Sequence, residues 1–228
     1  MNDDFIKQAT RFQATKSSGE VSAILLQPAS PRYLMVLAHG AGAGMQNAFM
    51  EKISEELAQN GIATFRYNFP YMESGKKSPD PKPVILSAIR SSIDAAKKTL
   101  PGIPIIAGGK SFGGRMTSTA ESQEHLPDVK GIVFFGFPLH PPGKPTSERA
   151  EHLFKVSLPM LFLQGTRDSL ADLKLLIPIC KKLGEKAHLH IIEDANHSFN
   201  MPKGSAKNND KVIKELGSKV KEWADKLK

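Results

Sequence analysis

Apolar residues along this chain fall into two kinds of run that take turns. Short unbroken runs at Tyr33–Ala38, 62–65, 103–107, 131–135 and 160–163 read as strands covered on both faces. A last strand is expected over 188–192. Between these runs, apolar residues recur every three or four positions. Phe49, Met50, Ile53, Leu57 and Ala58 mark a helix over 46–60, which Asn60-Gly61 stops. Ile85, Ile89, Ile93 and Ala96 mark one over 84–98. Val212, Leu216, Val220, Trp223 and Leu227 mark a closing helix over 208–228. Residues 147–154 predict a short helix, and 171–183 a longer helical stretch that Pro178 either kinks or restarts. Ahead of all this, residues 5–27 read as two short strands joined by a turn at Ser17-Ser18-Gly19. Residues 73–83, with prolines at 79, 81 and 83, read as a surface loop.

From Tyr33 onward, strands and helices alternate. That order builds an α/β fold with a mostly parallel central sheet and helices on both faces. No repeat or linker divides the chain, so residues 1–228 read as one domain. In such sheets, ligands gather at the C-terminal strand ends. Four polar groups fall at those ends: His39-Gly40-Ala41, Ser111, Asp168 and His197.

The stretch around Ser111 organises the rest. Ile105-Ile106-Ala107-Gly108-Gly109-Lys110-Ser111-Phe112-Gly113 is an apolar strand running into Gly-x-Ser-x-Gly. This spacing lets a chain turn sharply from strand into helix, holding the serine in a strained conformation with its hydroxyl exposed. A side chain at 109 or 113 would crowd the turn. Gly109-Lys110-Ser111 also ends like a phosphate-binding loop, but that pattern needs glycine at position 104, which is Pro104.

Asp168 follows Ser111 by 57 residues and His197 follows Asp168 by 29, so each falls at the end of a different strand. Ser, Asp, His is the chain order of one kind of nucleophilic triad. In it, His197 takes the proton of Ser111 and Asp168 fixes the imidazole tautomer. The developing oxyanion needs two donors, expected from the backbone N–H groups of Ala41 and Phe112. Asp168 could instead cap the helix after it, with Asp172 and Asp194 as alternative acids. His39 is expected to orient the oxyanion turn. Residues expected near the substrate are His39, Gly40, Phe69, Lys110, Arg115 and His140. His125, His140 and His152 have no evident partner in the sequence, and the histidines and acids show no metal-ligand spacing, so neither metal nor cofactor is expected.

Charge widens the field briefly. The net charge is +8, which raises nucleic-acid binding. Many lysines, however, lie in 181–186 and the closing helix, without interleaved aromatics, as on a solvated surface. No nucleic-acid partner is therefore expected. No run is long enough to cross a membrane, and the acidic Met1-Asn2-Asp3-Asp4 is unlike a secretory leader. With one cysteine, Cys180, a reducing, cytoplasmic setting is expected.

With these residues assembled, the chain resembles the α/β-hydrolase superfamily over nearly its whole length, near the dienelactone hydrolases. It is most similar to the hydrolase-like family shared by a mammalian testis-expressed protein and a subunit of the NSL histone-acetyltransferase complex. The stretches that carry this are His39-Gly40-Ala41-Gly42-Ala43-Gly44-Met45, Arg66-Tyr67-Asn68-Phe69-Pro70-Tyr71-Met72-Glu73, Gly108-Gly109-Lys110-Ser111-Phe112-Gly113-Gly114-Arg115, the loop from Phe137 through His140 to Pro145, and Gln164-Gly165-Thr166-Arg167-Asp168. Two departures stand out. Dienelactone hydrolases use a cysteine nucleophile where this chain has Ser111, and Ala195-Asn196 precedes His197 where that branch often has Gly-Asp. The resemblance implies an α/β-hydrolase fold and a triad, but little about substrate.

Many such hydrolases insert a lid between the strands that end near Phe135 and begin near Met160; here only 136–159 fills the gap. An open site suits small or accessible acyl groups. Lys110, Arg115, Lys144 and Arg149 near its mouth would favour anionic ones. The reading that results is a serine hydrolase of esters or thioesters acting on a small-molecule acyl substrate. The alternative is a catalytically silent hydrolase fold that binds or scaffolds a partner.

Overall fold

The structure, a computed structural model, describes residues 5–227; the acidic start at 1–4 and Lys228 lie outside the described residues. The strands are β1 (Ile6–Thr15), β2 (Gly19–Gln27), β3 (Tyr33–Ala38), β4 (Ile62–Tyr67), β5 (Ile105–Lys110), β6 (Val129–Phe135), β7 (Met160–Arg167) and β8 (Ala187–Asn196). They form one sheet in the order β1-β2-β4-β3-β5-β6-β7-β8. β2 pairs antiparallel with β1 and β4, and from β4 across to β8 every pairing is parallel. The sequence therefore predicts the sheet class correctly.

The helices are α1 (Ala48–Gln59), α2 (Pro70–Glu73), α3 (Lys82–Thr99), α4 (Phe112–Gln123), α5 (Leu173–Leu183) and α6 (Asn209–Ala224), with 3-10 helices at Glu148–Lys155 and Gly184–Lys186. Side chains alternate across each strand and so feed two cores. From β3, Leu34, Val36 and Ala38 join α3, α4 and α5 on one face. Met35 and Leu37 join α1 and α6 on the other. This double burial is why the central strands read as unbroken apolar runs.

Four elements differ from the sequence expectation. β1 and β2 are long strands, paired from Ile6↔Gln27 to Thr15↔Gly19 with an irregularity between Gln13 and Thr15. β1 is an edge strand with most of its residues exposed, so polar side chains mask its period. α3 starts inside the expected loop, with Pro83 in its first turn, where a helix has no use for that N–H. α5 runs unbroken through Pro178, because Leu176, Ile179, Cys180 and Leu183 bury one face on both sides of it. Its N-cap is Asp172, whose carboxylate accepts the Lys174 N–H at 2.8 Å.

The closing helix is held chiefly by its apolar stripe, with Trp223 4% exposed against the sheet. Trp223→Ala is expected to cost about 3–5 kcal/mol. Urea unfolding followed by circular dichroism should show a lower midpoint at unchanged slope.

Candidate active site

Parallel strands deliver their C-terminal ends to one edge of the sheet. β3, β5, β7 and β8 are followed directly by His39, Ser111, Asp168 and His197 respectively. Ser111 is the turn from β5 into α4, with φ 49° and ψ −114°. A positive φ is strained for a residue with a side chain, and here it turns the hydroxyl out of the sheet. The flanking glycines make the turn possible. A Cβ at Gly109 would run into the Ala38 carbonyl oxygen, and one at Gly113 would lie 2.5 Å from that same atom.

Ser111 Oγ lies 2.8 Å from His197 Nε2, and His197 Nδ1 lies 2.7 Å from Asp168 Oδ2. A carboxylate only accepts, so the ring proton sits on Nδ1 and Nε2 is left to accept from the serine. Asp168 is buried, and two further donors serve it. Its Oδ1 accepts the Leu170 N–H at 2.8 Å, and its Oδ2 accepts from the Gln164 side-chain amide. Gln164 is itself fixed, since its Oε1 accepts the Phe137 N–H at 2.9 Å. In the sequence Gln164 stands only as part of a motif stretch, with no role of its own. The signal it does carry is an amide at the end of an apolar strand, where a polar side chain must be there for a partner. Of the alternative acids, Asp172 caps α5, and among the described residues the hydrogen bond of His197 Nδ1 goes to Asp168 and not to Asp194.

The backbone N–H groups of Ala41 and Phe112 belong to the segments that directly follow β3 and β5. Neither donates to a protein acceptor among the described residues. The loop that carries Ala41 is tied down by the segment after β4. The Gly42 N–H donates to the Tyr71 hydroxyl at 3.2 Å, and the Met45 N–H to Asn68 Oδ1 at 3.0 Å. Arg66 donates to the Met45 carbonyl at 3.2 Å. His39 Nε2 accepts the Phe69 N–H at 3.1 Å, which leaves its proton on Nδ1 to donate to the Gly40 carbonyl at 2.7 Å. Burial lowers the His39 pKa to about 4, so this ring stays neutral and serves as a brace. Asn68 is oriented in turn by Glu73, which also accepts from Ser22 and Arg11 of the N-terminal hairpin.

Several residues expected at the substrate lie elsewhere. His39 and Phe69 are fully buried and pack edge to face, with ring centroids 4.9 Å apart. His140 is buried too, its Nε2 accepting the Asp172 N–H and its Nδ1 meeting the Pro141 carbonyl. All three hold loops together and line no open pocket. Gly40 is buried against Lys110 and the Ser111 Cβ. Lys110 turns its ammonium onto the His197 carbonyl, 2.6 Å away. Arg115, on the first turn of α4, holds its guanidinium carbon 5.8 Å from the centre of the Phe112 ring. Burial, with the like charge of Arg149, lowers its pKa to about 10, and its Nε is buried without a hydrogen-bond partner.

Three further histidines have hydrogen-bond partners away from Ser111. His152 meets Ser118 at 2.8 Å, His125 meets Glu121 at 3.0 Å, and His190 meets Glu215 at 2.9 Å. Among the described residues, no cluster of three histidine, cysteine or carboxylate side chains is placed to hold a metal ion. A concavity of about 600 Å³ between His125, Leu158, His188 and Trp223 opens near the starts of β6–β8 and holds none of the residues around Ser111.

A family model described as an alpha/beta hydrolase domain matches residues 31–225. The fold is shared with a dienelactone hydrolase from Anabaena variabilis, at a TM-score of 0.75 and 17% identity over 98% of each chain. It is shared with an α/β serine hydrolase without a lid from Xanthomonas campestris, at 0.74 and 17% over 95% of this chain and 94% of that one. It is also shared with an α/β serine hydrolase homologue from Coxiella burnetii, at 0.72 and 14% over 97% of each. Identities this low carry the fold alone. The family model, in contrast, spans most of the sequence, and the protein belongs to the alpha/beta hydrolase domain family.

Proposed function

We propose that this protein is a serine hydrolase that cleaves a carboxylic ester or thioester of a small, accessible acyl substrate through an acyl-enzyme. The observation that carries the reading is the continuous path from Ser111 Oγ to His197 Nε2 and from His197 Nδ1 to Asp168, with hydrogen bonds of 2.8 and 2.7 Å. Ser111 Oγ attacks the acyl carbon while His197 takes its proton. The N–H groups of Ala41 and Phe112 hold the oxyanion. The intermediate collapses, the C–O or C–S bond breaks, and His197 returns the proton to the leaving group. Water repeats the cycle on the acyl-enzyme and restores Ser111. Asp168 balances the imidazolium in each half. Within the superfamily, the motif stretches favour the branch shared by the testis-expressed protein and the NSL complex subunit.

The mouth supports an anionic acyl group. Arg149 stands close enough to disfavour the charge of Arg115, and Arg115 follows Ser111 by one helical turn. Like charges held together at a site are relieved by a bound anion.

Three measurements test the reading. A fluorophosphonate probe should label the wild-type protein, whereas Ser111→Ala and His197→Ala should not be labelled, with turnover lower by about 10⁶-fold. Asp168→Asn should fold and lose about 10⁴-fold. Folded wild-type protein that resists the probe would leave the fold as a binding scaffold. Tyr71→Phe removes the acceptor for the Gly42 N–H and should lower kcat by up to about 10²-fold, with KM little changed. Finally, a monoanionic aryl ester should outpace its neutral isostere, and added salt and Arg115→Met should each shrink the difference. Equal rates at every ionic strength would remove the anion from the proposal.

A further inference from the structure

Lys110 is the residue before the nucleophile, yet its side chain runs to the base. Its Nζ donates to the His197 backbone carbonyl at 2.6 Å. The ammonium lies 5.7 Å from the centre of the Phe49 ring of α1 and 5.4 Å from that of Phe199. Those two rings stack on each other, 5.7 Å apart at 18°. A Cβ built at Gly136 would meet Lys110 Nζ at 3.2 Å and the His197 ring at 3.4 Å, so the ammonium and the imidazole share one small space. The turn it grips is itself strained, with Phe199 at φ 60°. Asn196 Oδ1 closes that turn by accepting the N–H groups of Ser198 and Asn200.

We infer that Lys110 is a positioning residue for catalysis, locking the turn that carries His197 to the strand that carries Ser111. The inference rests on the serine-hydrolase reading above. Two aromatic faces and a carbonyl oxygen make a site for a cation. One side chain thereby couples the nucleophile's strand to the base's turn, though the two residues are 86 positions apart in sequence.

The energetics separate a role in the site from a role in the fold. Burial lowers the Lys110 pKa from 10.5 to about 8, against the pull of the Asp168 carboxylate. The fold as a whole thus disfavours this charge relative to water, and an apolar side chain of similar length would remove that cost. A charge that burial disfavours, yet that the His197 carbonyl and two ring faces hold beside the base, is placed there for the site. The groups facing the ammonium are few. Asp168 favours its charge, the His197 ring adjoins it, and α1 and the turn present Phe49 and Phe199, which do not titrate.

The test measures the rate of fluorophosphonate labelling against pH for wild type, Lys110→Met and Lys110→Arg, with thermal unfolding of each. Wild type should label fastest below about pH 8 and slow above it, as the ammonium is lost. Lys110→Met should label about 10-fold to 10²-fold more slowly, without the alkaline fall, at a melting temperature equal to or above wild type. Lys110→Arg, which keeps its charge, should recover part of the rate and extend it past pH 8. Between about pH 8 and 10.5 the native wild-type protein binds fewer protons than the unfolded chain, so its stability should gain on that of Lys110→Met. Labelling of Lys110→Met at the wild-type rate and with the wild-type pH profile would overturn the inference. So would a slow Lys110→Met that had merely lost stability and kept the alkaline fall. Failure of wild type itself to label would strike at the serine-hydrolase reading instead.

Discussion

One carbonyl sets the geometry of the whole site. The Ala38 oxygen at the end of β3 presses on both glycines that flank Ser111, leaving no room for a Cβ at either. That approach brings the turn after β3 against the first residues of α4. The segments that carry Ala41 and Phe112, distant in sequence, are thereby packed together: a Cβ at Gly113 would lie 2.6 Å from the His39 carbonyl oxygen. The strained φ of Ser111 belongs to the same contact. The chain can leave β5 this steeply because the backbone packing on both sides of it admits no other path.

Around that contact the protein arranges supports in successive rings. Gln164 holds Asp168, Asp168 holds His197, and Tyr71, Asn68 and Arg66 hold the loop that carries Ala41. Glu73 then ties Asn68 to the N-terminal hairpin, so β1 and β2 lie far from Ser111 and still bear on it. Each support satisfies a buried polar group whose loss would leave its partner without a hydrogen bond. The hairpin is therefore part of the site's scaffold as well as the sheet's edge.

How far the sequence foretells this depends on what each residue responds to. Sheet class, helix faces and the order Ser111, Asp168, His197 follow from local periodicity and from strand ends, which a sequence displays directly. The full length of the edge strand β1 escapes, though a strand is read there, because its solvent-facing side chains are polar on most positions. Pro178 misleads because packing on α5 outweighs the local penalty of a proline. His39, Phe69 and His140 read as substrate contacts, for they are chemically able residues beside the motif, but their rings and backbones are spent on holding loops. Lys110 looks like a mouth residue from its place in the chain, and only three-dimensional packing reveals which way a flexible side chain turns. Hydrogen-bond partners distant in sequence, Gln164 apart, leave no local mark at all.

The segment between β6 and β7 bears on the fate of the acyl-enzyme that the proposed function calls for. It holds one 3-10 helix, Glu148–Lys155, and loop. An acyl group carried on Ser111 would be reached from bulk solvent, and the departing alcohol or thiol would have no chamber to linger in. Water would then win the competition for the acyl carbon over any second acceptor. On the proposed mechanism, such an architecture would commit the acyl-enzyme to hydrolysis over transfer, and would tie its lifetime to how readily His197 activates water rather than to the escape of product.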